Sequence, residues 1–219
     1  MREIKITVEI SNLLSAIRKH EAPKGYGQVY SGAKGVGKNA DVSKMTLDGV
    51  LNFQTTMLAK GSASTACGGY QFLRKTLKAT IAEMGLKGSE VWTPELQDRM
   101  AVYLMQKRGL GEYLDGTLSA EGFANNLAKE WASLPVVSGP KKGRSFYAGD
   151  GLNKSFHEPS AIMALVSAVK APRKPAQPVS PAPAPVAAKE DAKPPVAVPA
   201  PVRGGFWASV AALFRNSAA

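Results

Sequence analysis

Residues 62–72 read Ser62-Ala63-Ser64-Thr65-Ala66-Cys67-Gly68-Gly69-Tyr70-Gln71-Phe72. Small side chains and two adjacent glycines describe backbone that must come close to something. The Tyr-Gln pair then delivers two polar side chains at the mouth of the next helix. A tight helix-capping loop has the same composition, so the stretch alone is ambiguous. What makes it one wall of a cleft is an isolated acid upstream, Glu21, at the end of a predicted helix and beside a second Gly/Tyr-rich turn. We take the two stretches as opposite walls of one site.

Working outward, helical spacing predicts a core helix over 46–60, opening at Thr46, with Leu47, Val50, Leu51, Phe53, Met57 and Leu58 apolar. After the loop, Leu73, Leu77 and Ile81 recur every fourth residue and predict a helix over 70–84 closed by Gly85. Thr93-Pro94-Glu95 is a helix start of cap, proline and acid, running to Gly109. Ser119 caps another, with Phe123, Leu127 and Trp131 stacked four apart, Trp131 as core, before Pro135 stops it. A last helix is expected over 160–170. Upstream, a helix over 11–20 carries Leu13, Leu14 and Ile17 on one face and has Ser11 or Asn12 as its cap. It delivers Glu21 at the negative end of its dipole, which disfavours the charged carboxylate. His20 reads as surface or as a support behind the acid, with no nucleophile for it to serve. Tyr26-Gly27-Gln28-Val29-Tyr30-Ser31-Gly32 alternates enough for one arm of a small β-hairpin, and Gly35-Val36-Gly37 supplies turn backbone. It lacks the third glycine and the flanking strand and helix of a dinucleotide fingerprint.

Composition bounds the rest. Of the 15 prolines among 219 residues, ten fall between Pro172 and Pro201, so the expected organisation is a globular domain over 1–170, a Pro/Ala-rich spacer over 171–203 and a short helix over 204–219. The net charge of +11 draws the chain to polyanions without choosing among them. The lone Cys67 excludes an internal disulfide, and no Cys/His set has metal-site spacing, so neither metal nor cofactor is expected. Met1-Arg2-Glu3-Ile4-Lys5-Ile6 lacks the apolar run of a signal peptide, and no stretch reaches the ~20 apolar residues of a membrane span. Synthesis in the cytoplasm is expected. Nucleic acid is not an expected partner, because charge alone supports it.

Gly143-Arg144-Ser145-Phe146-Tyr147-Ala148-Gly149-Asp150-Gly151 puts aromatic, glycine and acid residues in one loop, which suits stacking on a pyranose face and hydrogen bonding to hydroxyls. A plain turn with Asp150 as turn former fits equally.

An acid after the first helix, the Tyr/Gly hairpin, Ser64 to Phe72, Met84-Gly85-Leu86, Leu96-Gln97-Asp98-Arg99, Lys107-Arg108-Gly109-Leu110 and Trp131-Ala132-Ser133-Leu134-Pro135 together resemble the bacteriophage lambda endolysin family and its muramidase-like relatives. The likeness covers about residues 8–155. It departs at Cys67-Gly68-Gly69, and the loop around Asp150 belongs to some relatives. The resemblance implies a lysozyme-like α+β fold, predominantly helical with a small β-hairpin lobe, and cleavage of the β-1,4 bond between N-acetylmuramic acid and N-acetylglucosamine in peptidoglycan. The catalytic acid maps onto Glu21.

An ordinary glycosidase needs two carboxylates flanking the bond. Here the next acid after Glu21 is Asp41. A lytic transglycosylase needs only one, serving as acid and then as base. Asp41 or Asp150 would be the second carboxylate of a hydrolase, and a non-catalytic wall-binding virion component is the alternative class. Tyr70 and Gln71 are expected to hold the sugar, Ser64 or Thr65 to line the groove, and Tyr30, Tyr147 and Asp150 to make further contacts. We expect a monomer acting on the cell wall after release, or carried in a virion. In the tail, Phe206, Val210, Leu213 and Phe214 are expected on one apolar helical face beside Trp207, suited to an anionic membrane surface, to docking on a partner protein or to packing back on the domain.

Overall fold

Four helix starts are set by side chains in the N-cap position, and the computed structural model, which describes residues 3–37, 39–149 and 154–170, places each cap in use. Thr7 accepts from the Ile10 amide and opens α1 (Val8–Glu21). Thr46 accepts from Gly49 and opens α2 (Leu47–Ala59). Thr93 accepts from Leu96 and, with Pro94, opens α4 (Pro94–Lys107). Ser119 accepts from Gly122 and opens α6 (Ala120–Ala128). Each hydroxyl satisfies an amide that the helix leaves without a partner, a contribution of about 1 kcal/mol. The other helices are α3 (Arg74–Glu83), α5 (Leu110–Asp115) and α7 (Pro159–Lys170), with a 3-10 turn at Val42–Lys44. All belong to one compact unit, Met1–Lys174. Asp150, the spacer and the 204–219 segment lie outside the described residues.

Three expectations shift. The first helix starts at Val8, because Thr7 caps it and Ile10 can then join the buried face with Leu13, Leu14 and Ile17. The helix after the loop starts only at Arg74, because residues 67–72 turn back on themselves through a Cys67–Phe72 bridge and Gln71 takes φ +48°. Its first amide is capped from outside the helix: Arg74 N donates to Thr65 Oγ1 at 3.0 Å. The hairpin arm at 26–32 is reduced to the isolated bridge Val29–Cys67, and among the described residues pairing occurs only as isolated bridges. Turns at Gly25–Gln28 and Tyr30–Ala33 leave too little extended backbone between them for a ladder.

The architecture is predominantly helical. Buried side chains from every helix converge, among them Ile17, Met57, Leu77, Met100, Phe123 and Val166, and each such burial is worth about 1.5–3 kcal/mol. The last helix packs on α1 and α6, and Tyr113 of α5 joins them by donating to the Val166 carbonyl at 2.9 Å. Trp92, fully buried, meets Phe72 edge-on at 5.7 Å and donates to the Met100 sulfur at 3.2 Å. Trp131 is core as expected, although the helix carrying Phe123 and Leu127 ends three residues before it. Among the described residues no helix is long and apolar enough to cross a membrane.

Candidate active site

Glu21 is the last residue of α1, and Pro23 ensures that the helix stops there: it disfavours helical backbone at Ala22, which leaves with φ −139°. The half-buried carboxyl is held by a residue 112 positions away, with Ser133 N donating to Glu21 Oε1 at 3.1 Å. Burial pushes the Glu21 carboxyl above its ordinary range, while the hydroxyl and amide of Ser133 pull the other way. The Ser133 Oγ is buried without a partner of good hydrogen-bond geometry. Its pull therefore comes from closeness to the carboxylate, and the amide contact is the firmer of the two. Gln28 Nε2 donates to the Glu21 carbonyl at 3.3 Å and ties the 24–28 turn to the end of α1.

That turn and the 39–43 segment enclose a cleft of about 700 Å³ lined by Lys24, Tyr26, Gln28, Asn39, Asp41 and Pro94. Asp41, the expected second carboxylate of a hydrolase, is half-buried there and fully engaged. It caps the 3-10 turn by accepting from the Ser43 amide at 3.1 Å and the Ser43 hydroxyl at 2.5 Å, and it pairs with Lys44 at 3.3 Å. These contacts, Ser43 foremost, hold its carboxyl below the ordinary range.

The 66–72 loop does not face this cleft from the opposite side but packs on the turn itself, with Gly68 N donating to the Gln28 carbonyl at 2.7 Å, and its glycines do what close approach requires. A Cβ on Gly68 would lie 2.5 Å from Trp92 and 2.7 Å from Gln97 Oε1, and one on Gly69 would lie 2.8 Å from Tyr26. Two buried glutamines pin the loop. Gln97 accepts from Gly69 N at 2.8 Å and donates to the carbonyls of Tyr26 and Trp92, and Gln54 donates to the carbonyls of Thr65 and Phe72. Tyr70 is buried at 2% exposure. Its hydroxyl donates to Asp98 Oδ1, to which Tyr26 also donates at 2.8 Å, and it accepts from Arg18 at 3.1 Å. Arg18 lies 4.5 Å over the Tyr26 ring and 3.8 Å from Asp98. Burial and then the Asp98 carboxylate push the Tyr26 phenol up to about 12 and the Tyr70 phenol further. Tyr70 also faces Trp131, two residues before Ser133, with ring centroids 6.5 Å apart. Contacts therefore run from Asp98 through Tyr70 and Trp131 to the segment that holds Glu21.

The remaining expected contacts are dispersed. Thr65 is buried and spent on the start of α3, and Ser64 accepts from Ala66 N at 3.2 Å within its own loop. Gln71 folds back, donating to the Gly68 carbonyl at 2.8 Å. Tyr30 covers Gly32, where a Cβ would lie 2.6 Å from its ring. Tyr147, 42% exposed, anchors its loop by donating to the Lys129 carbonyl at 2.6 Å. Asp150 lies outside the described residues. Sequence reasoning passed over Arg18, Tyr26, Gln54, Gln97 and Asp98 as site builders. The signal for two of them was the Gln97-Asp98 pair inside a quoted motif, where a helical Gln-Asp otherwise looks like solvated surface. Among the described residues no group of three or more His, Cys, Asp and Glu is placed to hold a metal ion.

No curated protein matches the chain. Among solved structures, the chain is similar to bacteriophage lambda lysozyme complexed with a chitohexasaccharide, at 19% identity and TM-score 0.44, over 77% of this chain and 96% of that one. The Endolysin family matches residues 9–161, which takes in Glu21, the 24–28 turn, the 66–72 loop and the Ser133 segment. With most of its length inside that match, the chain belongs to the Endolysin family and is a peptidoglycan-degrading enzyme that cleaves glycosidic bonds.

Proposed function

We propose that the enzyme cleaves the N-acetylmuramic acid to N-acetylglucosamine β-1,4 bond by lytic transglycosylation, with Glu21 as its single acid and base. The observation that carries this is a half-buried carboxyl held by the Ser133 amide, its proton affinity raised by burial, while among the described residues two acids of the surrounding turn and loop are committed elsewhere. Asp41 is bound to Ser43 and Lys44, and Asp98 to Tyr26, Tyr70 and Arg18.

Protonated Glu21 gives its proton to the glycosidic oxygen as the bond to the anomeric carbon breaks, and the N-acetylglucosamine side leaves as an alcohol. The resulting carboxylate takes the proton from the muramoyl 6-hydroxyl while that oxygen bonds to the anomeric carbon. Glu21 ends protonated, the product is a 1,6-anhydro sugar, and no water is consumed. Burial raises the proton affinity of the carboxyl, which favours the loaded acid that the first half of the cycle needs. The Ser133 amide stabilises the carboxylate formed midway, as hydrogen bonds to a charged group do. Tyr70 and Gln71 contribute by shaping the wall, and the exposed face of Tyr147 and the ring of Tyr30 offer stacking surfaces to neighbouring sugars.

Mass spectrometry of muropeptides released from purified peptidoglycan tests the mechanism. Products lighter by one water are expected, and Glu21→Gln should abolish them. Reducing-end products would overturn the transglycosylase reading and point to Asp41 or Asp150 as the second carboxylate. Lysis by Glu21→Gln at the wild-type rate would remove Glu21 from the chemistry.

A further inference from the structure

The chain holds two histidines, and the fold brings both to the end of α1 beside Glu21. His20 stacks on the ring of Phe156 with centroids 5.3 Å apart and 4° between planes, and it meets the edge of His157 at 4.4 Å and 87°. His157 Nε2 lies 3.1 Å from the Ala16 carbonyl, one turn back on the same helix, and donates there when that nitrogen carries its proton. Between these contacts Phe156 N donates to the Ser133 carbonyl at 3.0 Å. Ser133 in turn gives its own amide to Glu21. Phe156 is 60% exposed, so core burial does not explain its place. The histidine stack and the Ser133 bond do.

We propose that His20, Phe156 and His157 form a clamp that positions the Ser133 amide on Glu21, and that protonation of the histidine pair opens it. The proposal rests on the catalytic reading of Glu21 given above. Two imidazolium rings at this separation repel each other. The charged and titratable groups facing His157 from α1 are Lys19 and His20, with Glu21 beyond Ser133. Lys19 adds to the repulsion. The segment leading to Ser133 carries Glu130, which is paired with Arg108 at 2.7 Å. Lys154 and Glu158 flank the histidine on its own segment. Burial and His20 hold His157 below its ordinary pKa, so the pair is closed at neutral pH and opens on acidification. The amide that steadies the Glu21 carboxylate in the second half of the reaction is then no longer held in place. The loss therefore falls on kcat more than on KM.

The test follows kcat and KM against pH on purified peptidoglycan for the wild-type full chain, His20→Gln and His157→Gln. In parallel, the 15N and 1H shifts of the Ser133 amide are followed in the wild type alone, which does not depend on any variant folding. Wild-type kcat is expected to fall about tenfold from about pH 7 to about pH 5 while KM changes less than about twofold, the size expected for one hydrogen bond to a charged group. Each variant should flatten that limb, and the Ser133 amide should report a histidine midpoint as well as that of Glu21. Superimposable profiles for all three proteins, or an amide that follows Glu21 alone, would overturn the clamp. If Glu21→Gln remains lytic, the catalytic reading fails by itself, and the amide titration still decides whether the clamp exists.

Discussion

Gly68→Ala is the substitution on which the account of the loop stands or falls. Two separate terms act at this position. Its φ of +79° lies in the left-handed region, where an L side chain costs about 1–2 kcal/mol. Its Cβ would also lie 2.5 and 2.9 Å from the Trp92 ring and 2.7 Å from Gln97 Oε1. Neither neighbour can give easily. Trp92 is fully buried between Phe72 and Met100, and Gln97 is fixed by three hydrogen bonds. Overpacking of this kind costs about 1–3 kcal/mol, so the expected total is about 2–5 kcal/mol, or a Tm lower by on the order of 10 °C for a domain of this size. Gly85→Ala is the control. It has a φ of +64° and nothing within 4 Å of its Cβ, so it carries the backbone term alone, about 1–2 kcal/mol. Urea denaturation of both variants isolates the clash by difference. A Gly68→Ala loss equal to that of Gly85→Ala within about 0.5 kcal/mol would refute the claim that the loop is pressed against Trp92 and Gln97.

Glu21→Gln should lose lytic activity by about a thousandfold or more and yet melt higher than wild type at neutral pH. The folded chain binds the Glu21 proton more tightly than the unfolded chain, whose value is near 4.5. Stability is therefore lost as pH rises from about 4.5 through the folded pKa, and the variant's advantage should vanish below that window; calorimetry across pH checks the sign. Asp98→Ala should cost about 2–4 kcal/mol, from two phenol bonds to a carboxylate discounted for its 25% exposure, and a urea midpoint unchanged from wild type would disprove the coupling. Cys67 is fully buried and its thiol is pushed up to about 12 by burial, so Ellman's reagent at mild alkaline pH should label it only as fast as the chain unfolds. Stoichiometric labelling of the native protein within seconds would place Cys67 at the surface instead.

What the sequence made legible follows from range. Thr46, Thr93 and Ser119 act within three residues of themselves, so their helices could be read with the right caps. That Glu21 ends the first helix was legible because a helix, a proline and a glycine lie in a row around it. The loop turned out differently from its pattern, because its conformation is imposed by Gln54 and Gln97, and the Gln97 side chain bonds a carbonyl 71 residues away. The small helix α5 was missed for a local reason: it starts at Gly109, with φ +99° and no side-chain cap. Asp98 was passed over because a lone acid in an amphipathic helix is normally solvated, and its partners Tyr26 and Tyr70 lie 72 and 28 residues away.

The two glycines at the centre of the chain show why fold and site cannot be separated here. Their absent side chains invited a reading in which substrate approaches the backbone, yet the space at Gly68 is taken by Trp92 and Gln97 and at Gly69 by Tyr26 and Arg18. The close approach is internal. It lets Tyr70 reach Asp98 beneath Arg18, which sets Tyr70 against Trp131, and two residues beyond Trp131 comes the amide that holds Glu21. A desolvated acid is a standing cost to the folded state. The buried glutamines and the tyrosine–aspartate network offset that cost with their own hydrogen bonds, and by holding the backbone they keep the carboxyl desolvated. Weakening the network at Gly68 or Asp98 should therefore lower the proton affinity of Glu21 before it unfolds the protein, and a Glu21 titration point that stays fixed in Asp98→Asn while stability falls would show the two to be independent.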